Sequence, residues 1–311
     1  MLRASIDIGS NTFRMLIAKT ASNQPWKTVY CTHRIVRLGE GLHHTGRLSD
    51  AGMARAVQAM REFSTIIREH GLSPENTCAV ATAAMREADN GEELRQRILE
   101  ETNLNIRVID GDTEAGLSLS GASAVLHDET RRDMLLFDIG GGSTEFVRAT
   151  NGVLKDAISR KLGVVRLVEA HLHSDPPTIN DYQAMLHTAD KHLAEVEAHW
   201  GDSRIPAHLV GTAGTVTTLA AVHLDLCPYV AEKINNHIIP VNEFFMLRDQ
   251  LLSLTHEQRQ ALPTIEQGRA DLLIGGLAII EAIFLRWGYQ DMHVVDAGLL
   301  EGAWLASYET K

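Results

Sequence analysis

The sequence predicts an α/β fold built on an internal duplication. Three observations carry that reading. Short apolar runs alternate with longer segments of helical period, and a strand, polar glycine turn and strand near the N-terminus recur in mid-chain. A third glycine turn follows another strand-like run further on.

Taken in order, Ala4 to Ile8 is a short strand leading through Asp7 into the turn Gly9-Ser10-Asn11-Thr12, and Phe13 to Ala18 is the strand that returns. Ser49 to His70 places Met53, Val57, Met60, Phe63 and Ile67 on one helical face, with Ser49 as N-cap and Gly71 as C-cap. Thr77 to Ala81 reads as a strand, Asn90 to Glu101 as a helix opened by acidic residues, Ile106 to Ile109 as a strand and Thr113 to Val125 as a helix. The glycine unit then repeats: Met134 to Phe137 leads into Asp138-Ile139-Gly140-Gly141-Gly142-Ser143-Thr144-Glu145, and Phe146-Val147 resumes the apolar pattern. A helix over Ile179 to Trp200, a strand over His208 to Val210, the turn Gly211-Thr212-Ala213-Gly214-Thr215 and another helix follow. The chain closes with a helix over Arg269 to Arg286, a strand over Met292 to Val295, the turn Asp296-Ala297-Gly298 and a last helix to Tyr308. Ser174-Asp175-Pro176-Pro177 reads as a surface turn, and the charged connection His127 to Arg132 is the better domain boundary.

With 311 residues, 44% apolar and 22% charged, the chain suits two medium domains, each with its own core. The apolar run Leu272 to Ile280 is nine residues long, and a membrane span needs about twenty. The N-terminus lacks the apolar stretch of a secretory signal, so the expected location is cytoplasmic, with no membrane partner. Cys31, Cys78 and Cys227 form no C-x-x-C motif and read as small core residues. Acidic side chains outnumber basic ones, 40 to 29, which opposes binding to a nucleic-acid backbone. Of the fifteen histidines, His171, His173, His187, His192 and His199 lie closest in sequence. They lack H-E-x-x-H order and read as solvated helix positions.

Glycine lets successive backbone N–H groups converge on an anion. Three glycine turns after three strands, two of them opened by aspartate, therefore predict a phosphate site. Its residues are Gly9, Ser10, Asn11 and Thr12; Gly140, Gly141, Gly142 and Ser143; and Gly211, Thr212, Ala213, Gly214 and Thr215. None of the turns is a G-x-x-x-x-G-K-[ST] loop or a G-x-G-x-x-G dinucleotide turn. Carboxylates beside phosphate repel it unless a divalent cation intervenes, so Asp7 and Asp138, with Glu145 beside them, predict a site for magnesium or a similar hard ion.

The residues quoted above resemble the Ppx/GppA phosphatases, the exopolyphosphatases and guanosine pentaphosphate phosphatases. The resemblance rests on Ser5 to Ile17, Asp138 to Glu145 and Gly211 to Thr215, and on Ala81 to Ala88, Lys161 to Arg166 and Gly268 to Gly275. It implies two ribonuclease H-like domains of the actin, Hsp70 and sugar kinase superfamily with the active site in the cleft between them. The expected domains are 1–125, rejoined by a C-terminal helix over about 298–311, and 126–297. It further implies that Glu114, in Gly111-Asp112-Thr113-Glu114-Ala115, is the general base, and that Arg86 contacts phosphate, with Asp138 completing the catalytic set. Two departures stand out: Thr113 occupies a position where the family usually has glutamate, and Leu300 one where it tends to have arginine.

The activity implied is hydrolysis of the terminal phosphoanhydride of inorganic polyphosphate, with guanosine pentaphosphate as the alternative substrate and a homodimer left open. Two further readings are an ATP-dependent small-molecule kinase, which needs an adenosine pocket beside the third turn, and a non-catalytic phosphate-ligand sensor. The carboxylates Glu114, Asp7, Asp138 and Glu145 argue against the sensor, because binding alone favours cations.

Overall fold

The structure is a computed structural model that describes every residue except Asn23, Asp202, Ser203 and Glu309–Lys311. The chain divides into two compact units, one of Met1–Ala124 with Ala297–Lys311 and one of Val125–Asp296.

The first unit holds a five-stranded sheet of β1 (Leu2–Ile8), β2 (Thr12–Lys19), β3 (Lys27–Ile35), β4 (Thr77–Ala81) and β5 (Ile106–Val108), in the order β3-β2-β1-β4-β5. β1, β2 and β3 form an antiparallel meander, while β4 and β5 run parallel to β1. The second unit repeats this plan with β6 (Met134–Ile139), β7 (Thr144–Thr150), β8 (Val153–Arg160), β9 (His208–Thr212), β10 (His237–Pro240) and β11 (Asp291–Val294). Its order is β10-β11-β9-β6-β7-β8: a meander of β6, β7 and β8, β9 and β11 parallel to β6, and β10 added antiparallel at one edge. Each sheet has the ribonuclease H-like arrangement that the sequence resemblance implies.

Local chemistry explains the elements. The helix Asp50–Glu69 starts where the Ser49 hydroxyl accepts the Gly52 N–H, and it buries Met53, Val57, Met60, Phe63 and Ile67 against β1 and β2 residues such as Ile6, Ile8 and Met15. The helix Ile179–Trp200 is opened by a Thr178 and Asp181 capping box and packs Met185, Leu193 and Val196 into the second core, beside the apolar helix Leu273–Trp287. That last helix begins four residues later than its sequence period suggests, because Gly268 turns the chain with φ 81° and Arg269 forms an ion pair with Glu266.

The cysteine expectation fails. Cys31 lies exposed on β3, an edge strand, Cys227 is also exposed, and Cys78 is half-buried. The final helix runs over Leu299–Ala306, and the last three positions of the expected 298–311 segment lie outside the described residues. Leu300 is fully buried with Leu16, Ala18 and Trp304, so its side chain serves packing.

Gly302 in this helix and Gly121 in the helix Gly111–Val125 let the two backbones meet. A Cβ at Gly302 would lie 1.9 Å from Leu117 O and one at Gly121 2.0 Å from Gly298 O. Gly116, by contrast, has open space around its missing Cβ. Replacing Gly116 with alanine is expected to stabilise the protein by about 0.5–1 kcal/mol, read as a raised melting temperature, because alanine removes the entropy cost of a mid-helix glycine without a clash.

Candidate functional site

Parallel strands end on the same edge of a sheet, and ligands of open α/β sheets bind beyond the carboxyl ends of such strands. In the first unit β1, β4 and β5 deliver to that edge the Gly9–Thr12 turn, the short helix Ala83–Glu87 with Arg86, and the start of the helix Gly111–Val125 with Glu114. The Thr82 N–H donates to Ile8 O at 3.3 Å and Ile109 N–H to Ala81 O at 2.9 Å, tying the three exits together.

Arg86 and Glu114 pair directly. Arg86 Nη1 donates to Glu114 Oε2 at 3.0 Å and to Ile109 O at 2.7 Å, and Glu114 is only 7% exposed. Asp110 caps the helix that presents Glu114, accepting the Thr113 N–H at 2.8 Å. Hydrogen bonds from Thr113, side chain first and backbone second, hold the Asp110 carboxyl below its ordinary value. Thr113 therefore helps fix the helix start.

The second hairpin turn shows how its glycines are used. Gly140 O accepts the Val164 N–H at 3.1 Å, Gly141 O accepts Val165 N–H at 3.0 Å, and Gly142 O accepts Arg166 Nε at 2.7 Å. A trans peptide points its N–H opposite to its C=O. The amides of Gly141, Gly142 and Ser143 are thus turned away from the Gly163–Arg166 segment, as an anion-binding nest requires. Gly163 permits this clamp: a Cβ there would sit 2.2 Å from Gly141 O and 2.5 Å from Gly142 C.

The first turn has the same construction. Ser10 O accepts Gly39 N–H at 2.7 Å, while Asn11 O accepts Val36 N–H at 2.9 Å and Arg37 N–H at 2.8 Å, so the Asn11 and Thr12 amides face away from the clamp. Both turns are closed alike, by Gly9 N–H on Thr12 O at 3.2 Å and by Gly140 N–H on Ser143 O at 2.9 Å.

The third turn is a direct junction of strand and helix. Gly211 and Thr212 belong to β9 and the helix Ala213–His223 begins at once. Gly211 is a packing glycine, since its Cβ would lie 2.6 Å from the Phe137 ring and 2.9 Å from Val216 Cγ1. Ala213 adopts φ 74°, unusual for a residue with a side chain. Gly214 lies under Arg269, whose Nη1 would be 2.4 Å from an added Cβ. Thr215 is buried against Gly276.

The predicted carboxylates separate by unit. Asp138 and Glu145 are directly opposed across the β6 and β7 ladder, so both side chains leave one face of the sheet. Glu145 is buried and accepts the Ser159 hydroxyl at 2.7 Å. Two adjacent carboxylates with a hydroxyl beside them form an all-oxygen donor set that fits a hard divalent cation. Asp7 lies in the first unit, opposite Arg14 on β2. The roles of Gly163, Arg166 and Arg269 escaped sequence reasoning, although all three fall inside segments that carry the family resemblance.

Known proteins resemble this chain over nearly its whole length. A profile described as the Ppx/GppA phosphatase family matches residues 16–311. The chain is 31% identical over 311 residues to exopolyphosphatase 2 of Mycobacterium tuberculosis, covering 96% of each. It is also 29% identical over 318 residues to a bifunctional 3-dehydroquinate synthase/phosphatase of Fusobacterium nucleatum, of whose length it spans only 47%. Among solved structures, an exopolyphosphatase from Cytophaga hutchinsonii gives a TM-score of 0.89 at 29% identity, over 100% of this chain and 99% of that one. A Ppx/GppA family member from Aquifex aeolicus gives 0.83 at 28% identity, with the same coverage.

Proposed function

Because the chain belongs to the Ppx/GppA phosphatase family, we propose that it is an exopolyphosphatase, a hydrolase of the terminal phosphoanhydride of inorganic polyphosphate. The observation that supports this reading is the paired carbonyl clamp, which in both units turns a row of backbone amides away from the clamp and leaves them available to an anion. The exopolyphosphatase names of the relatives from M. tuberculosis and C. hutchinsonii support the substrate.

Each residue then has a role. The amides of Asn11 and Thr12, and of Gly141, Gly142 and Ser143, bind phosphoryl oxygens. Arg86 spends Nη1 on Glu114 and Ile109 O, so its Nη2 and Nε edge is offered to phosphate. Glu114 orients a water molecule and takes its proton. As the water oxygen bonds to the terminal phosphorus, the bridging P–O bond opposite breaks, giving orthophosphate and a chain one phosphate shorter. A divalent cation such as magnesium, held by Asp138 and Glu145, would offset the negative charge of the substrate. The transition state is loose, so positioning and charge stabilisation supply most of the rate.

The test is parallel phosphate release from short polyphosphate, long polyphosphate and guanosine pentaphosphate by one preparation. Polyphosphate shortened from its ends is the expected result. Release from the nucleotide alone would replace polyphosphate as the substrate, and release from none would defeat the reading. A chelator is expected to abolish release and added magnesium to restore it; full activity in chelator would remove the cation from the scheme.

A further inference from the structure

We infer that Arg14 stands, within the first hairpin, in place of the cation that the second hairpin takes from solution, so that the two hairpins together hold one divalent ion and not two. The inference rests on Asp138 and Glu145 as the cation ligands of the proposed phosphatase. The two hairpins are built alike: each has an aspartate next to last in its strand, the same Ile-Gly step, the same closing bond and a clamp on the turn carbonyls. They differ in the residue directly across the ladder, where Asp7 faces Arg14 and Asp138 faces Glu145.

Directly opposed residues share a face of the sheet, with Cβ atoms about 4.5–5.5 Å apart. The first hairpin therefore sets an arginine across from its aspartate, and the second sets a glutamate there. Like charges so placed destabilise a ladder, and a hard cation bound between them removes that cost with the oxygen ligands it prefers. The row continues through oxygen donors in the second unit, where Ser159 is the partner of Glu145 and Thr212 the partner of Asp138.

Arg14 has a second acidic neighbour of its own unit. Its Nη2 lies 3.8 Å from Glu301 Oε1, while Glu301 Oε2 accepts the Gly298 N–H at 2.8 Å. Glu301 is 8% exposed, so its charge is poorly screened by water. Arg14 thus stands across the ladder from Asp7 and beside Glu301, and on this inference its fixed charge takes the part that an ion plays in the second hairpin.

Manganese is the probe, since a free Mn2+ ion has a paramagnetic resonance signal that binding suppresses. Titration of the full chain is expected to count one ion in the wild type. Glu145→Gln should weaken that binding by about tenfold or more, and Asp7→Asn should leave the count at one. Arg14→Glu, which places three carboxylates together, should gain a second ion, and Arg14→Lys should not. Two ions in the wild type, loss of the ion in Asp7→Asn, or a single ion in folded Arg14→Glu would each overturn the inference. If circular dichroism shows Arg14→Glu to be unfolded, Arg14→Gln replaces it under the same two outcomes, because Asp7 and Glu301 then lack their guanidinium. Ion counts do not depend on turnover. The expected counts without phosphate release would sink the exopolyphosphatase reading and keep this inference, and phosphate release with two bound ions would do the reverse.

Discussion

Replacing Glu114 with glutamine is expected to lower turnover on polyphosphate by roughly a hundred- to ten-thousand-fold, the usual yield of a positioned general base. Glutamine keeps the volume and an acceptor for Arg86 Nη1, which now donates to Glu114 Oε2 at 3.0 Å, so the fold should hold. Alanine would be a poorer test, because removing one partner of a shielded ion pair leaves the other uncompensated. The decisive measurement is the split between kcat and KM. A fall in kcat with KM and melting temperature little changed identifies a group that acts on the water, and wild-type turnover in folded protein would remove Glu114 from that role.

The second large effect is expected at Gly163. Alanine there would drive a Cβ to 2.2 Å from Gly141 O and 2.4 Å from Gly141 C, and backbone atoms cannot rotate away as a side chain could. Relief requires the helix Val164–His171 or the Gly140–Ser143 turn to shift, at a cost of about 1–3 kcal/mol. Either shift breaks the bonds from Val164, Val165 and Arg166 that aim the amides. Gly163→Ala should therefore lower the melting temperature and raise KM sharply, whereas Gly116→Ala, the same chemical change in open space, should raise the melting temperature. Equal behaviour of the two variants would show that the clamp does not control the turn.

Much of this was legible in the sequence, for identifiable reasons. Glycine turns flanked by apolar runs and opened by aspartate mark a strand end facing an anion, because few other uses of the chain need that combination. The helices with strong apolar faces, such as Asp50–Glu69 and Ile179–Trp200, were found close to their observed ends. β3 and β8 were not, because edge strands are half solvated and mix Lys, Thr, His and Asp with their apolar residues. The same cause misled the reading of Cys31, whose exposure depends on which strand ends at the sheet edge. Glu114 could be picked out only by family resemblance, since an acidic residue in a first helical turn is ordinary. Its partner Arg86 lies 28 positions away, and only the parallel order of β1, β4 and β5 brings the two together. Gly211 looked like a loop glycine but lies within a strand, filled against Phe137 and Val216, a distinction that depends on tertiary packing.

The closing helix Leu299–Ala306 has a consequence for how the chain is made. The Ser5 hydroxyl donates to Leu300 O and Trp304 Nε1 donates to Arg3 O, so a strand translated before the whole second unit waits for a helix translated after it. A ribosome must deliver residues through Trp304 before Leu16 and Ala18 are covered, whereas Val125–Asp296 emerges as one uninterrupted piece and can condense first. A released chain truncated at Asp296 should accordingly protect the later unit from protease while leaving the earlier one open to cleavage.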